Sequence, residues 1–265
     1  MAFHIIVCVK QVPDGTKVKI DKKTGSLLRE GVPGILNPCD AHGLEAALTI
    51  KDKLKDVEVT ALTMGPGQAV NMLWECLFMG AYKVVLLSDK ALAESDTAAT
   101  AYALSCAVKK LGGADLVIAG REAIDGETAQ VGPELAELLQ VDQVTAVTAM
   151  ELAQDKKSIV CDKQMDGMIE TVEVKLPCVL TVTEELNDPR LMYLPRILDE
   201  EKNVLQWDCK DAGVDTGEVG FEASPTHVVD SFVPESSRQG MVIESDDAEE
   251  MAGRLLAELK QIHAI

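Results

Sequence analysis

Short apolar runs alternate with helix-period segments through residue 140, and this alternation constrains the fold more than any other feature of the chain. Phe3–Val9, Val57–Met64, Val84–Leu87 and Leu116–Ala119 are nearly continuous in apolar residues. That is the signature of strands covered on both faces. Between them, Asp40 is placed to cap a helix reaching Leu54, with Leu44, Ala47, Leu48 and Leu54 toward the core. Gln68–Met79 sets Ala69, Met72, Leu73 and Leu77 on one stripe, and Gly80 ends it. Ser95 or Asp96 caps Thr97–Leu111, which Gly112-Gly113 closes. Such alternation predicts an α/β fold, a doubly wound and mostly parallel sheet with right-handed crossovers.

The pattern then changes. Gln143–Leu152, Ser158–Gln164, Met168–Leu176 and Cys178–Thr183 are strand-like and rich in Thr and Val. Asp155-Lys156-Lys157 and Asp166-Gly167 mark turns between them. These strands predict a meander or an antiparallel extension of the same sheet. Periodicity is lost from Asn187-Asp188-Pro189-Arg190 onward, and Gly213–Pro225 reads as loop. Asp246–Ile262 regains a helical stripe of Met251, Leu255, Leu259 and Ile262 behind an acidic first turn that suits the helix dipole. A helix after so long an irregular stretch docks on its own core or on a partner, and the pattern leaves both open. The expected organisation is an α/β domain over residues 1–205 and a C-terminal arm with a helix over 206–265.

Charge narrows the function. Among 265 residues there are 25 Lys and Arg against 44 Asp and Glu, a net charge of −19. A chain this acidic does not offer a groove for nucleic acid or a face for an anionic membrane. No apolar run approaches the roughly 18 residues of a bilayer-spanning helix. The opening segment, Met1 to Val9, reads as a first strand and not a signal peptide. Cys8, Cys39, Cys76, Cys106, Cys161, Cys178 and Cys209 are odd in number and form no C-x-x-C. They predict buried thiols in a reducing, cytoplasmic setting, not a disulfide framework. No metal site is expected from the spacing of the histidines and cysteines.

An open parallel sheet binds ligands at the carboxyl ends of its strands. The segments expected there are Val9-Lys10-Gln11-Val12-Pro13-Asp14-Gly15, Leu36-Asn37-Pro38-Cys39-Asp40, Met64-Gly65-Pro66-Gly67 and Gly120 through Pro133. The last is the most telling. Gly120 admits close backbone approach and Asp125-Gly126 supplies a tight turn. Thr128, Ala129 and Gln130 stand where the free N–H groups of a helix start would meet a phosphate, and Arg121 adds a cation. A plain capped strand–helix loop would have the same composition. Neither G-x-G-x-x-G nor a P-loop is present, so a standard dinucleotide fold is not supported.

At these segments the sequence resembles the β subunits of electron-transfer flavoproteins (ETFs) and their nitrogen-fixation relatives. The residues that carry the resemblance are Val9-Lys10-Gln11-Val12-Pro13-Asp14, Asn37-Pro38-Cys39-Asp40, Met64-Gly65-Pro66, Met79-Gly80-Ala81, Gly120–Pro133 and Leu186-Asn187-Asp188-Pro189-Arg190, in the family's order. The match is strong to about residue 205 and weaker beyond.

The resemblance implies an adenine-nucleotide α-hydrolase-like fold and a heterodimer with an α subunit that carries its own FAD. The β chain of such proteins holds a second adenine nucleotide. This is FAD in the bifurcating, anaerobic type and AMP in the ordinary shuttle. The nucleotide should lie against Cys8, Val9 and Lys10, against Asn37, Pro38, Cys39 and Asp40, and against Met64 and Gly65. The loop of Gly120, Arg121, Ala123, Ile124, Asp125 and Gly126, running on through Thr128, Ala129, Gln130 and Val131, completes it. The Gln-Val-Pro-Asp segment and the small residues Gly126 and Ala129 resemble the bifurcating type. Its implied reaction takes a hydride from NADH and divides the electrons. One goes to the α-subunit FAD and a partner dehydrogenase (acyl-CoA, enoyl-CoA or 2-hydroxyacid type), the other to ferredoxin or flavodoxin. No residue of this chain is expected to act as nucleophile or base, because the flavin carries the chemistry. About residues 182–204 resemble the loop that recognises the dehydrogenase, with Pro189, Arg190, Tyr193 and Leu194 as its contacts and an acidic end at Asp199-Glu200-Glu201-Lys202. The arm is expected to dock on the α subunit. A reading from another class is an ATP-binding stress-type protein of related fold, which has no need of such a loop.

Overall fold

The computed structural model describes residues 2–14, 19–20, 27–28, 33–198, 203–229 and 240–265. Gly15 and Asp199 to Lys202, singled out above, lie outside them. The strands are β1 (Phe3–Cys8), β2 (Gln11–Pro13), β3 (Lys19–Ile20), β4 (Leu27–Leu28), β5 (Gly34–Leu36), β6 (Val57–Met64), β7 (Lys83–Leu87), β8 (Leu116–Gly120), β9 (Asp142–Leu152), β10 (Ser158–Met165), β11 (Met168–Lys175), β12 (Cys178–Val182) and β13 (Leu205–Trp207). The helices are α1 (Pro38–Lys53), α2 (Val70–Met79), α3 (Thr97–Lys110), α4 (Val131–Leu139), α5 (Leu194–Leu198), α6 (Cys209–Ala212) and α7 (Ala248–Gln261).

A nine-stranded sheet runs in the order β11-β10-β9-β12-β8-β1-β6-β7-β13. All neighbours from β9 to β13 are parallel, and β10 and β11 extend the sheet antiparallel. The expected doubly wound sheet with an antiparallel extension is the observed one. Alternate residues of β1 feed opposite cores. Ile5 and Val7 pack with Leu44, Leu48, Met72 and Leu73 of α1 and α2. Ile6 and Cys8 pack with Leu104, Val108 and Leu135 of α3 and α4. Cys8, Cys76, Cys161, Cys178 and Cys209 are buried free thiols, consistent with their reading as small hydrophobes.

Three local expectations are corrected. Cys178–Thr183 does not continue the antiparallel set: β12 lies parallel between β9 and β8. All five of its residues are buried, as a strand covered on both faces requires. Asp40 does not cap α1. The helix starts at Pro38 after Asn37, and Asp40 sits in its first turn. Residues beyond 187 are not wholly irregular. β13 pairs parallel with β7, and Cys209, Ala212, Val214 and Val219 bury into the core beside α3. Leu205 and Gln206, on either side of the expected 205/206 division, therefore share one strand.

The strand order turns outward in both directions from β1: β6 and β7 lie on one side, β8 and β12 on the other. The crevice where such a sheet binds ligands is the carboxyl end of β1 and β8. One glycine sets how α4 reaches that rim. A Cβ on Gly132 would overlap Thr181 Cγ2 of β12. Gly132→Ala should therefore destabilise the fold by about 1–3 kcal/mol, read as a lower urea midpoint. An unchanged midpoint would contradict this packing.

Candidate functional site

The carboxyl ends of β1, β6 and β8 and the starts of α3 and α4 enclose a cleft of about 370 Å³, within the roughly 300–1,000 Å³ range of small-molecule sites. The floor is apolar, formed by Cys8, Val9, Met64, Leu104 and Ala119. Burial pushes the Cys8 thiol up to about 12, so it lines the cleft as a neutral group and not as a nucleophile.

One carboxylate builds the rim. Asp40 is buried, and its Oδ2 accepts the Lys10 N–H at 2.8 Å while its Oδ1 accepts the Gly120 N–H at 2.9 Å. The ends of β1 and β8 are thereby tied to the first turn of α1. A Cβ on Gly120 would overlap Asp40 Oδ1, so only glycine permits this approach. Asn37 is fully buried beside it. Its amide donates to Glu122 O at 2.9 Å and accepts from Ile124 N–H at 3.1 Å, which fixes the loop after β8. Burial raises the Asp40 carboxyl to about 7, although Asn37 and the two backbone N–H groups favour its ionised form.

The charged side chains of this loop are held lightly. Lys10 Nζ meets Asp125 at 2.7 Å and Arg121 meets Glu122 at 2.6 Å, all four side chains partly exposed. Such pairs contribute about 0–1 kcal/mol, so a phosphate can replace the carboxylate at little cost. Glu127 (φ 49°) and Ala129 (φ 54°) adopt the left-handed conformation, which costs non-glycine residues about 1–2 kcal/mol each. The two helix starts differ. Asp96 caps α3 by accepting the Ala99 N–H at 3.1 Å. No side chain caps α4 at Gln130, which leaves its first-turn N–H groups open to an anion.

Of the residues proposed from sequence, Cys8, Val9, Lys10, Asp40, Met64, Gly120, Arg121, Ala123, Gly126, Thr128, Ala129, Gln130 and Val131 line this cleft. Asn37, Pro38, Cys39, Gly65, Ile124 and Asp125 do not. Asn37 and Asp125 act on it through the contacts just given. Sequence reading overlooked Ser95 and Asp96, just before α3, and Thr97, Thr100 and Leu104 within it, which line the cleft. Their signal was present: they follow β7, and the carboxyl end of that strand belongs to the same rim. Glu122, Glu127 and Gly132 also line it. Among the described residues, no three His, Cys, Asp or Glu side chains come together to hold a metal ion.

A model of the electron transfer flavoprotein domain matches residues 24–212. A caffeyl-CoA reductase-Etf complex subunit, CarD, of Acetobacterium woodii is 49% identical over 264 residues, covering 99% of this chain and all of that protein. An electron transfer flavoprotein subunit beta of Clostridium acetobutylicum is 45% identical with the same coverage. The protein FixA of Azotobacter vinelandii is 39% identical over 98% of this chain and 96% of its own length. The chain belongs to the electron transfer flavoprotein family, among its β subunits.

Two further surfaces of this flavoprotein subunit were anticipated. Leu191, Tyr193, Leu194 and Leu198 are exposed, Leu191 at 91%. Pro189 is half-buried. Arg190 is not displayed with them: its guanidinium is bound to Glu45 at 2.7 Å and Asp52 at 2.8 Å of α1. No residue of α7 is buried, so its stripe does not dock on the chain's own core. No helix among the described residues is long and apolar enough to cross a membrane.

The Asp40 shift has a pH consequence. Its folded pKa lies above the roughly 3.9 of an unfolded aspartate, so the folded state binds the proton more tightly between the two values. The stability that Asp40 contributes is complete below about pH 4 and is lost as the pH rises through about 7. Urea midpoints of the parent protein should fall across that window relative to Asp40→Asn. Parallel curves would contradict the burial assigned to this carboxyl.

Proposed function

We propose that this chain, paired with an ETF α subunit, holds FAD in the cleft and works in flavin-based electron splitting. NADH supplies the hydride. One electron passes to the α-subunit FAD and on to a flavin dehydrogenase, and the other passes to a ferredoxin or flavodoxin. The observation that carries this reading is the open end of the cleft: α4 is uncapped, and nothing lies within 4 Å of where a Cβ on Gly126 would point. That space supports a diphosphate continuing past the adenosine half of the ligand. The 49% identical relative, named for a reductase–Etf complex of an acetogen, supports it from a separate direction.

A flavin bound here supplies hydride acceptance and one-electron chemistry. The chain's own residues bind and orient it. Cys8, Val9, Met64 and Ala119 would cover the adenine ring and exclude water from it. The N–H groups at the start of α4 bind phosphate oxygens, assisted by Lys10 and Arg121 once their carboxylates yield. Asp40 and Asn37 hold the rim in shape. The heterodimer should yield two FAD on extraction and its flavin should bleach with NADH. One FAD with one AMP, and no response to NADH, would contradict the reading and favour the shuttle type.

The same reading gives the exposed surfaces their partners. Tyr193 and Leu194 form an apolar contact for the dehydrogenase, at the scale of a small interface hot spot. Helix α7 presents Met251 and Leu255, with Ile262 at its C-cap, as an exposed stripe for the α subunit. Deleting residues 246–265 removes no buried side chain, so the truncated chain should keep its melting temperature and lose association with the α subunit in size-exclusion chromatography. Undiminished association would contradict the assignment.

A further inference from the structure

Helix α1 joins two surfaces that the sequence treats as separate. Its start builds the cleft rim through Asn37 and Asp40. Five residues on, about 7.5 Å along the axis at 1.5 Å per residue, Glu45 grips Arg190. Glu45 is 8% exposed. Its Oε2 accepts the Arg190 N–H at 3.0 Å and Nε–H at 2.7 Å, and its Oε1 accepts Nη2–H at 2.9 Å and the Thr49 hydroxyl at 3.1 Å. Burial works to raise this carboxyl, yet Arg190 holds it below the usual glutamate range. Asp52 takes a further Nη2–H contact. Asn187 Nδ2 donates to His42 O at 3.0 Å, which adds a tie one turn earlier on the same helix.

This is not an ordinary surface pair. A bidentate fork on a nearly buried, saturated carboxylate fixes geometry as well as charge, and lysine cannot reproduce it. Immediately after Arg190 come the exposed Leu191, Met192, Tyr193 and Leu194. Elsewhere among the described residues the segment meets α2 and its end, by Tyr193 N–H to Phe78 O and by Arg196 to Leu77 O and Ala81 O. Within this set of contacts α1 alone reaches both the nucleotide rim and the apolar segment.

We infer that the Arg190–Glu45 fork is a positioning joint, by which nucleotide bound at the start of α1 sets the order of the exposed 190–198 segment. The inference rests on the cleft being the nucleotide site. Ligand at the rim immobilises Asn37, Asp40 and the first turn of α1. The rest of the helix follows as one body, and the fork passes that order to the backbone of Arg190 itself, which donates to the same carboxylate. A partner meeting the loaded subunit would find the apolar contact preorganised, and by linkage the partner would tighten nucleotide binding by the same factor.

The test is amide hydrogen exchange on the α/β heterodimer, stripped of nucleotide and then loaded with FAD, for the parent, Arg190→Lys and Glu45→Gln. In the parent, FAD should slow exchange over residues 190–198 by about fivefold or more, the scale of ordinary coupling between sites. In both variants FAD should bind as before and protect the rim at 120–126, while the slowing at 190–198 disappears. Glu45→Gln keeps the shape of the partner and decides the matter if Arg190→Lys does not fold. Equal slowing in parent and variants, or none in the parent despite a protected rim, would overturn the joint alone. Failure of FAD to bind or to protect the rim would overturn the joint together with the nucleotide reading.

Discussion

Everything in the cleft is referred to the Asp40 carboxylate. It accepts one N–H from the end of β1 and one from the end of β8, the strands on either side of the sheet's switch point. Without that acceptor two backbone donors at the rim would lose their partner, at a cost of about 1–3 kcal/mol each if they stayed buried. Gly120 is the counterpart of the arrangement, since any side chain there would occupy the space of the carboxylate. Asn37 extends the same logic by one layer, holding the loop at Glu122 and Ile124. The base of the loop is therefore held by buried contacts, and its charged side chains by partly exposed ion pairs. A fixed base and yielding side chains at the mouth would suit the proposed nucleotide.

The charge distribution agrees with this division. With a net charge of −19 the chain has few cations to spend, and both at the cleft are paired with carboxylates. In the proposed site, anion recognition would fall to neutral N–H groups at the start of α4, which need no compensating charge. Exposed apolar residues include Leu191, Met192, Tyr193, Leu194 and Leu198, and Met251, Leu255 and Leu256 of α7. Helix α1 runs between the cleft rim and the 190–198 segment.

The sheet was legible because its central strands are long and continuously apolar, a pattern that tertiary context rarely overrides. The helices α2 and α3 were legible from stripes ended by Gly80 and Gly112-Gly113. What sequence misread is local and has a common cause. Asp40 has the chemistry of a helix cap, but buried N–H groups from distant strands compete for its oxygens and win. Cys178–Val182 follows two antiparallel strands and carries the same Thr and Val content. Only its continuous burial on both faces, a property of the assembled sheet, marks it as parallel. β13 has three residues, too few to show a period. Most of the cleft was visible as loops at strand ends, and the α3 contribution was missed because Asp96 was weighed only as a cap. Arg190 was expected at a partner surface from the resemblance of its segment to the family's recognition loop; nothing near it in sequence announces its pairing with Glu45.

The most direct test of the account is a crystal structure of the heterodimer with its native nucleotide. The account predicts adenine over the Cys8–Val9–Met64 floor and the diphosphate against the first turn of α4, with Lys10 or Arg121 turned from its carboxylate toward it. A cleft filled by the subunit's own side chains, or a nucleotide bound away from α4, would contradict it.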